Sequence, residues 1–279
     1  MSTRELLTER LELIHDWYGG MVDERTGMLG YMYVPDRDAF APERSPIRDI
    51  ASAWDAAVLE RFLGRDQLRE VIDRSVAHFA GYLIERDGAL VLDPLRLGEP
   101  STIAHSAFLL LAMLRAPTPR WRREIAALAE GIVRQQRPDG SYAVFFSELP
   151  DSGEELYGGE ATLALLAGYF QRGRVADDLL VFFGNWQAQA CRLLVEHART
   201  PALAREVADY LHRIFDRVIT QGLFDSGVGY LLAMQCMDPG TGRGYGGFGF
   251  THDDRRQRID VTGHVASAFM KIVDSGVDC

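Results

Sequence analysis

One carboxylate stands at the edge of a strongly apolar segment. Glu160 directly precedes residues 161–170 (ATLALLAGYF), a run that is apolar nearly all round. A lone carboxylate at such a place either lies buried with a raised pKa or hydrogen-bonds the free N–H groups of its own helix start. A raised pKa suits a general acid, so Glu160 is the first candidate for proton transfer.

Two histidines occupy matching positions near the starts of other apolar segments. His105 lies in residues 103–114 and His264 in residues 261–273, with Asp260 one turn before His264. An imidazole among carboxylates transfers protons near neutral pH, and Asp260 would share one helix face with His264. The alternative is structural, because a histidine on an apolar helix is often a hydrogen-bonded core residue.

An acidic turn near the C-terminus is similar to a known motif. Residues 251–254 (THDD) resemble the D-x-D-D motif of class II terpene cyclases, which implies that Asp253 is a proton donor. Thr251 stands where the first aspartate of that motif is expected. Residues 253–257 (DDRRQ) also miss the last acid of a D-D-x-x-D motif, which leaves magnesium with little support. An exposed acidic turn is the alternative interpretation.

Two other patterns indicate no cofactor. Gly242, Gly244 and Gly247 match the spacing of the dinucleotide fingerprint, but no strand precedes them and no helix follows, so we expect a flexible lid or turn. Cys236 and His264 could meet in space as two members of a prenyltransferase-type zinc site, yet a third ligand is not identifiable. The sequence therefore predicts neither a cofactor nor a metal.

Charge and composition exclude several classes of protein. Forty Asp and Glu against thirty Lys and Arg give a net charge of −10, which argues against binding nucleic acid. Three widely spaced cysteines argue against a disulfide framework. The longest apolar run is too short to cross a membrane, and the N-terminus does not resemble a signal peptide. We expect a cytoplasmic protein without membrane insertion, whose partner is a small-molecule substrate.

Segments of two kinds alternate along the chain. Amphipathic segments, such as 68–83 and 121–133, predict surface helices, whereas the apolar segments predict buried ones. Helix starts are indicated by Ser45–Pro46, Thr118–Pro119 and Thr200–Pro201, and by a capping box from Ser2 to Glu5. Long loops are predicted at 23–45, 87–101, 137–156 and 222–257.

This alternation, repeated at roughly 50 to 60 residues, resembles the α/α toroid superfamily of six-hairpin glycosidases, sugar 2-epimerases and terpene cyclases with their prenyltransferase relatives. Residues 136–142 (QRPDGSY) are similar to the repeated Q-x-x-D-G-S-W stretch, and residues 157–161 (YGGEA) open an apolar helix. The resemblance implies an all-α fold of residues 1–279 as a single domain. It implies a double ring of about five to six helical hairpins, incomplete because residues 172–185 have room only for a short helix.

In a toroid the starts of the inner helices face one mouth, so the resemblance implies a cavity lined by the polar residues there. The catalytic candidates are Glu160, Asp253, Asp254, His264, His105 and Asp260. The substrate-binding candidates are Asp49, Trp54, Tyr142, Tyr157, Trp186, Gln189, His252 and Phe248.

The functional hypothesis is an enzyme that acts on a small organic substrate, with a carbohydrate first, by acid–base carboxylates. Two carboxylates flanking a glycosidic bond would hydrolyse it, whereas a histidine and an acid would epimerise the sugar. One alternative is a terpene-cyclase-like cyclase or isomerase of an isoprenoid or other apolar metabolite, which the aromatic side chains would also suit. A second alternative is a non-catalytic helical binding scaffold.

Overall fold

Helices make up most of the described chain. The computed structural model describes residues 2–116, 118, 120–138, 141–150, 152, 154–169, 202, 205, 223–251 and 253–275. The α-helices in these ranges are α1 (Thr3–Gly20), α2 (Pro46–Leu63), α3 (Arg69–Ala80), α4 (Pro94–Leu97), α5 (Ile103–Arg115), α6 (Arg122–Arg134), α7 (Glu154–Tyr169), α8 (Leu223–Met234) and α9 (Ile259–Ser275).

Local sequence signals fix two of the helix starts. The Ser2 hydroxyl accepts the Glu5 N–H, and the Glu5 carboxylate accepts the Ser2 N–H, so the predicted capping box is confirmed. Helix α2 begins at Pro46, as its proline predicts. The predicted start at Thr118 is wrong, because the Thr118 hydroxyl donates to Asp73 Oδ2 over 2.6 Å and α6 begins only at Arg122.

Helices α2 and α5 lie at the centre of the packing. Every residue of α5 from Ile103 to Met113 is buried, as its unbroken apolar sequence predicts. Helix α5 packs against α2, α6 and α7, and α2 packs in addition against α3 and α9. Helix α1 covers the other side of α9. The starts of α2, α5, α7 and α9 supply most of the residues of the candidate site.

Short antiparallel strands fill the segments between the helices. The strands of the described chain are β1 (Val22–Asp23), β2 (Met28–Leu29), β3 (Met32–Val34), β4 (Ala39–Phe40), β5 (Leu83–Arg86), β6 (Ala89–Leu92) and β7 (Gln257–Arg258). β1 pairs with β2 and β5 with β6, while β3 pairs with both β4 and β7. The pairing of β3 with β7 joins the N-terminal region to the strand that leads directly into α9.

The prediction of an all-α toroid is wrong. The chain is mixed α/β, with 59% helix and 13% strand, and its described part holds three small antiparallel sheets. One part of the chain that the prediction missed is a β-hairpin at the start of the predicted loop at 87–101. Asp87 and Gly88 both have positive φ and connect β5 to β6 as the hairpin turn. Leu83, which matched the preceding helical period, belongs to β5 instead. Likewise, the predicted loop at 222–257 contains α8.

Two apolar clusters meet along α2. The first joins side chains of α1 and α9 to the C-terminal part of α2, including Leu59. The second joins α5, α6 and α7 to the N-terminal part of α2, including Ile50 and Trp54. Helix α2 thus belongs to both clusters and determines how they lie against each other.

The glycine-rich segment at 242–247 is a tightly packed turn rather than a lid. It begins within a 3₁₀ helix at Pro239–Gly244, and a Cβ at Gly247 would lie 2.3 Å from Trp17 Nε1. The Trp17 indole N–H donates to Gln257 Oε1 over 2.8 Å, which closes this turn onto α1 and β7. In the described part of the chain, no helix combines the length and the apolar character needed to cross a membrane.

Candidate active site at four helix starts

One buried aspartate joins two arginines at the start of α9. Asp260 Oδ2 accepts Arg48 Nε over 2.7 Å, and its Oδ1 accepts Arg258 Nε over 2.8 Å. Arg48 comes from the first turn of α2, and Arg258 ends β7, only two residues before Asp260. Burial raises the pKa of Asp260, but the hydrogen bond from Arg258 and the two positive charges outweigh this effect and lower it. Asp260 is therefore an ionised anchor between two guanidinium groups.

The charge of Arg48 also acts on Glu160, which is uncharged at neutral pH. Its side chain is 8% exposed, and its Oε2 has no hydrogen-bond partner in the described structure. Burial raises its pKa to about 8, against the opposing charge of Arg48. Because α7 begins at Glu154, Glu160 lies beyond the first turn and cannot cap the helix. The structure thus favours the buried-acid interpretation over the capping one.

His264 follows Asp260 by one turn and reaches solvent. Its side chain keeps accessible surface, although protein surrounds much of the ring. This burial lowers its pKa, Asp260 opposes the shift, and the positive charge of Arg48 adds to it. The ring is consequently neutral at pH 7 and can accept a proton. We refer to Arg48, Glu160, Arg258, Asp260 and His264 as the Arg48 cluster.

The sequence interpretation missed Arg48 and Asp55. Asp55 lies two turns after Arg48 on α2, and its pKa is raised to about 7 by burial and by Asp260, while Lys271 opposes the shift. A Cβ at Gly263 would lie 2.3 Å from Asp55 Oδ2, so the α9 backbone passes directly over this carboxyl group. The missed signal was that Arg48 and Asp55 stand seven positions apart, which places them on one face of α2.

A second polar group lies at the start of α5. The Thr102 N–H donates to His105 Nδ1 over 3.2 Å, so Nε2 carries the proton that is donated to Glu99 Oε1 over 2.9 Å. Both ring nitrogens of this buried histidine are engaged, which favours the structural interpretation of His105. Asp49 lies close enough for the Glu99 charge to act on it.

Asp49 is the member of this second group that retains an unsatisfied acceptor. Its Oδ2 lies 2.9 Å from Arg44, whereas its buried Oδ1 has no partner in the described structure. Burial raises the pKa of Asp49 to about 6, the charge and hydrogen bond of Arg44 oppose the rise, and Glu99 adds to it. Asp49 is thus mostly ionised at pH 7 and paired with an arginine.

The predicted aromatic residues are largely core. Trp54 packs against Phe108 with ring centroids 6.1 Å apart, which joins α2 to α5. Phe248 is 1% exposed and meets Phe269 edge to face, which favours a core role over substrate binding. Tyr142 is also buried, and Tyr157 is half-buried against the same apolar cluster. These rings belong to the apolar packing around the site and do not form the surface of the site.

The acidic turn lies on the surface. Asp253 is exposed, and Asp254 Oδ2 accepts Arg256 Nη2 over 2.6 Å. The hydrogen bond from Arg256 lowers the pKa of Asp254. Thr251 accepts the Asp254 N–H, which closes the turn locally. Carboxylates in contact with water do not protonate an alkene, so the exposed-turn interpretation is favoured over the assignment of Asp253 as a proton donor.

Three predicted residues, Trp186, Gln189 and His252, lie outside the described residues, as do the predicted helix start at Thr200–Pro201 and Asp139–Gly140 of the QRPDGSY stretch. Within the described ranges, no group of three His, Cys, Asp or Glu side chains could hold a metal ion. A separate cavity of about 430 Å³ between α1 and α3 is lined by His15, Leu68 and Val71 among others, and it holds none of the predicted site residues.

Comparison with known proteins adds no relationship to this geometry. No family model matches the chain. No curated protein matches it at a significant level. The side chains of the site must therefore carry any functional conclusion.

Proposed function

We propose that the protein is an acid–base enzyme that moves a proton on a carbohydrate substrate at the Arg48 cluster, with Glu160 as donor and His264 as acceptor. The observation that carries this proposal is that Glu160 and His264, which both feel the charge of Arg48, have pKa values shifted in opposite directions. Burial keeps Glu160 protonated at pH 7, while His264 is neutral and reaches solvent. Pairs of groups whose environments push their pKa values apart are characteristic of acid–base sites.

The chemistry that fits this pair is epimerisation or isomerisation. His264 takes the proton from the carbon next to the substrate carbonyl, and Glu160 gives its proton to the carbonyl oxygen, so that an enediol forms. The protonated His264 then returns a proton to carbon, and the Glu160 carboxylate takes the hydroxyl proton of the enediol. Both side chains are thereby restored.

Hydrolysis by two carboxylates fits less well, because it requires one free carboxylate beside one protonated acid. Asp260 is ionised, but both of its oxygens are bound by arginines. Asp55, with a pKa raised to about 7, lies under the α9 backbone at Gly263. The isoprenoid alternative loses its motif because Asp253 is exposed.

The test is solvent deuterium exchange into carbon-bound positions of a defined sugar panel. The panel contains D-glucose, D-mannose, D-fructose, D-glucuronate and D-glucose 6-phosphate, each followed by proton NMR in D₂O. Loss of general acid–base assistance costs about 10²-fold or more, so Glu160→Gln and His264→Gln should each reduce exchange by at least that factor. The matched control is Asp254→Asn, which removes a surface carboxylate outside the cluster and should exchange like wild type. The proposal fails if wild type exchanges no sugar, or if neither cluster variant slows the exchange.

A further inference from the structure

Arg48 uses only part of its hydrogen-bonding capacity. It donates to Asp260 through Nε alone, and neither of its terminal nitrogens has a partner in the described structure. Its side chain is 39% exposed, so these terminal nitrogens are accessible to a ligand. A guanidinium group has five N–H donors, and its two terminal nitrogens match the geometry of a carboxylate or phosphate.

Arg258, in contrast, is held by Asp260 and by two aromatic rings. It donates to Asp260 through both Nε and Nη2, and its guanidinium lies over the Phe250 ring at 4.6 Å and the Tyr31 ring at 5.8 Å. It therefore fixes the position of Asp260, and Asp260 in turn fixes the Nε edge of Arg48. Arg48 is held at one edge and open at the other, which is the arrangement of a preorganised anion-binding arginine.

The cluster also keeps a positive charge in an acidic protein. Two guanidinium groups face the single ionised carboxylate of Asp260, while Glu160 and His264 are neutral at pH 7. Asp55 does not cancel the excess, because Lys271 accompanies it. The whole chain has a net charge of −10, so this local excess marks the place where an anion is attracted rather than repelled.

Resting on the proposed function, we infer that the carbohydrate substrate carries an anionic group, a carboxylate or a phosphate, which binds the terminal nitrogens of Arg48. The neutral Glu160 carboxyl group repels neither anion, and its protonated oxygen can donate to a sugar oxygen. Sugar hydroxyls alone would leave the single carboxylate of Asp260 to balance two guanidinium groups in a partly buried place.

The experiment is calorimetric titration of wild type with D-glucose, D-glucuronate and D-glucose 6-phosphate. The two anionic sugars distinguish a carboxylate from a phosphate, and neutral glucose is the reference. We expect one of the anionic sugars to bind at least tenfold more tightly than glucose, with a preference that shrinks as salt screens the charge. Arg48→Gln should abolish the preference, and Arg48→Lys should restore only part of it, because a lysine keeps the charge but not the planar fork.

The matched control is Arg61→Gln, which removes one positive charge from the exposed C-terminal end of the same helix and should keep the preference. Circular dichroism confirms that each variant is folded. Equal binding of glucose and both anions, absence of binding by all three, or an unchanged preference in Arg48→Gln would overturn the inference. Deuterium exchange on neutral sugars alone would overturn it and keep the proposed function. Selective anion binding without any exchange would keep the Arg48 subsite and remove the proposed catalysis.

Discussion

Glu160 shows how a single residue can combine functional capacity with a cost in stability. Its carboxyl group is buried, and one of its oxygens lacks a partner in the described structure. A structural carboxylate would be paired, as Asp260 is by two arginines. Unpaired burial is typical of groups that must hold or release a proton during a reaction, because such a group needs an environment that changes its pKa.

The raised pKa of Glu160 predicts a fall of stability with pH. The carboxyl group titrates near 4.5 in an unfolded chain and at about 8 in the folded protein. Between these values the folded state binds one proton more than the unfolded state, so the free energy of unfolding decreases as pH rises through this window. A tenfold change in proton affinity corresponds to about 1.4 kcal/mol, so ionisation of Glu160 costs the folded protein a few kcal/mol.

Glu160→Gln should remove this fall, because the amide keeps the size of the side chain and does not ionise. Thermal unfolding of both proteins at pH 5, 7 and 9 measures the difference. We expect similar melting temperatures at pH 5 and a variant that melts several degrees higher at pH 9. Asp49 and Asp55 also have raised pKa values, but their contributions cancel in this comparison. Parallel pH profiles of the two proteins would contradict the prediction.

At the scale of elements, close approach of backbones determines which side chains meet. Helix α9 reaches α2 at Gly263, where a Cβ would lie 2.3 Å from Asp55 Oδ2 and 2.9 Å from the Tyr18 hydroxyl. The glycine therefore permits the contact that places Asp260 beside Arg48. The need for a glycine at position 263 cannot be predicted from the sequence, since a glycine inside a helical pattern usually indicates only a low helix propensity.

Gly263→Ala should destabilise the protein by about 1–3 kcal/mol, because the added methyl group overpacks the contact between α9 and α2. Urea denaturation measures the change as a lower midpoint. The matched control is Gly19→Ala in α1, where a Cβ meets no atom within 4 Å and should stabilise the helix by up to about 1 kcal/mol. Equal effects of the two substitutions would show that α9 does not approach α2 as closely as described.

At the scale of the whole molecule, α2 connects two apolar clusters. Its C-terminal part belongs to the cluster with α1 and α9, and its N-terminal part to the cluster with α5 and α7. A rigid helix cannot leave one cluster without disturbing the other. The two clusters should consequently unfold together rather than as separate units.

This coupling is tested by Leu59→Ala in the first cluster and Leu110→Ala in the second, both at fully buried positions. Each should cost about 2–5 kcal/mol and shift one common transition. Far-UV circular dichroism and tryptophan fluorescence in urea should report the same midpoint for each variant. Leu95→Ala, at a position that is 90% exposed, is the control and should change little. Two separated transitions in either core variant would contradict the coupling.

Much of the local structure was predictable because its causes lie within a few residues. The capping box at Ser2, the start of α2 at Pro46 and the burial of α5 from Ile103 to Met113 all follow from short-range spacing. The same reasoning singled out Glu160, because its apolar neighbours lie on its own helix. The hairpin turn at Asp87–Gly88 is also a local signal. The helical spacing of apolar residues up to Leu83, however, favoured a helix where β5 begins.

The sequence by itself indicated that α5 would be buried, and it singled out Glu160, Asp260 and His264 as candidates for proton transfer. Only the tertiary structure decided that Arg48 would join them, that His105 would be committed to Glu99, and that Asp253 would stay on the surface. The physical reason is that helical periodicity specifies a face of one helix, whereas the partner of that face depends on how distant backbones cross. Here the crossing is set by Gly263 and by the pairing of β3 with β7, neither of which a local pattern reveals.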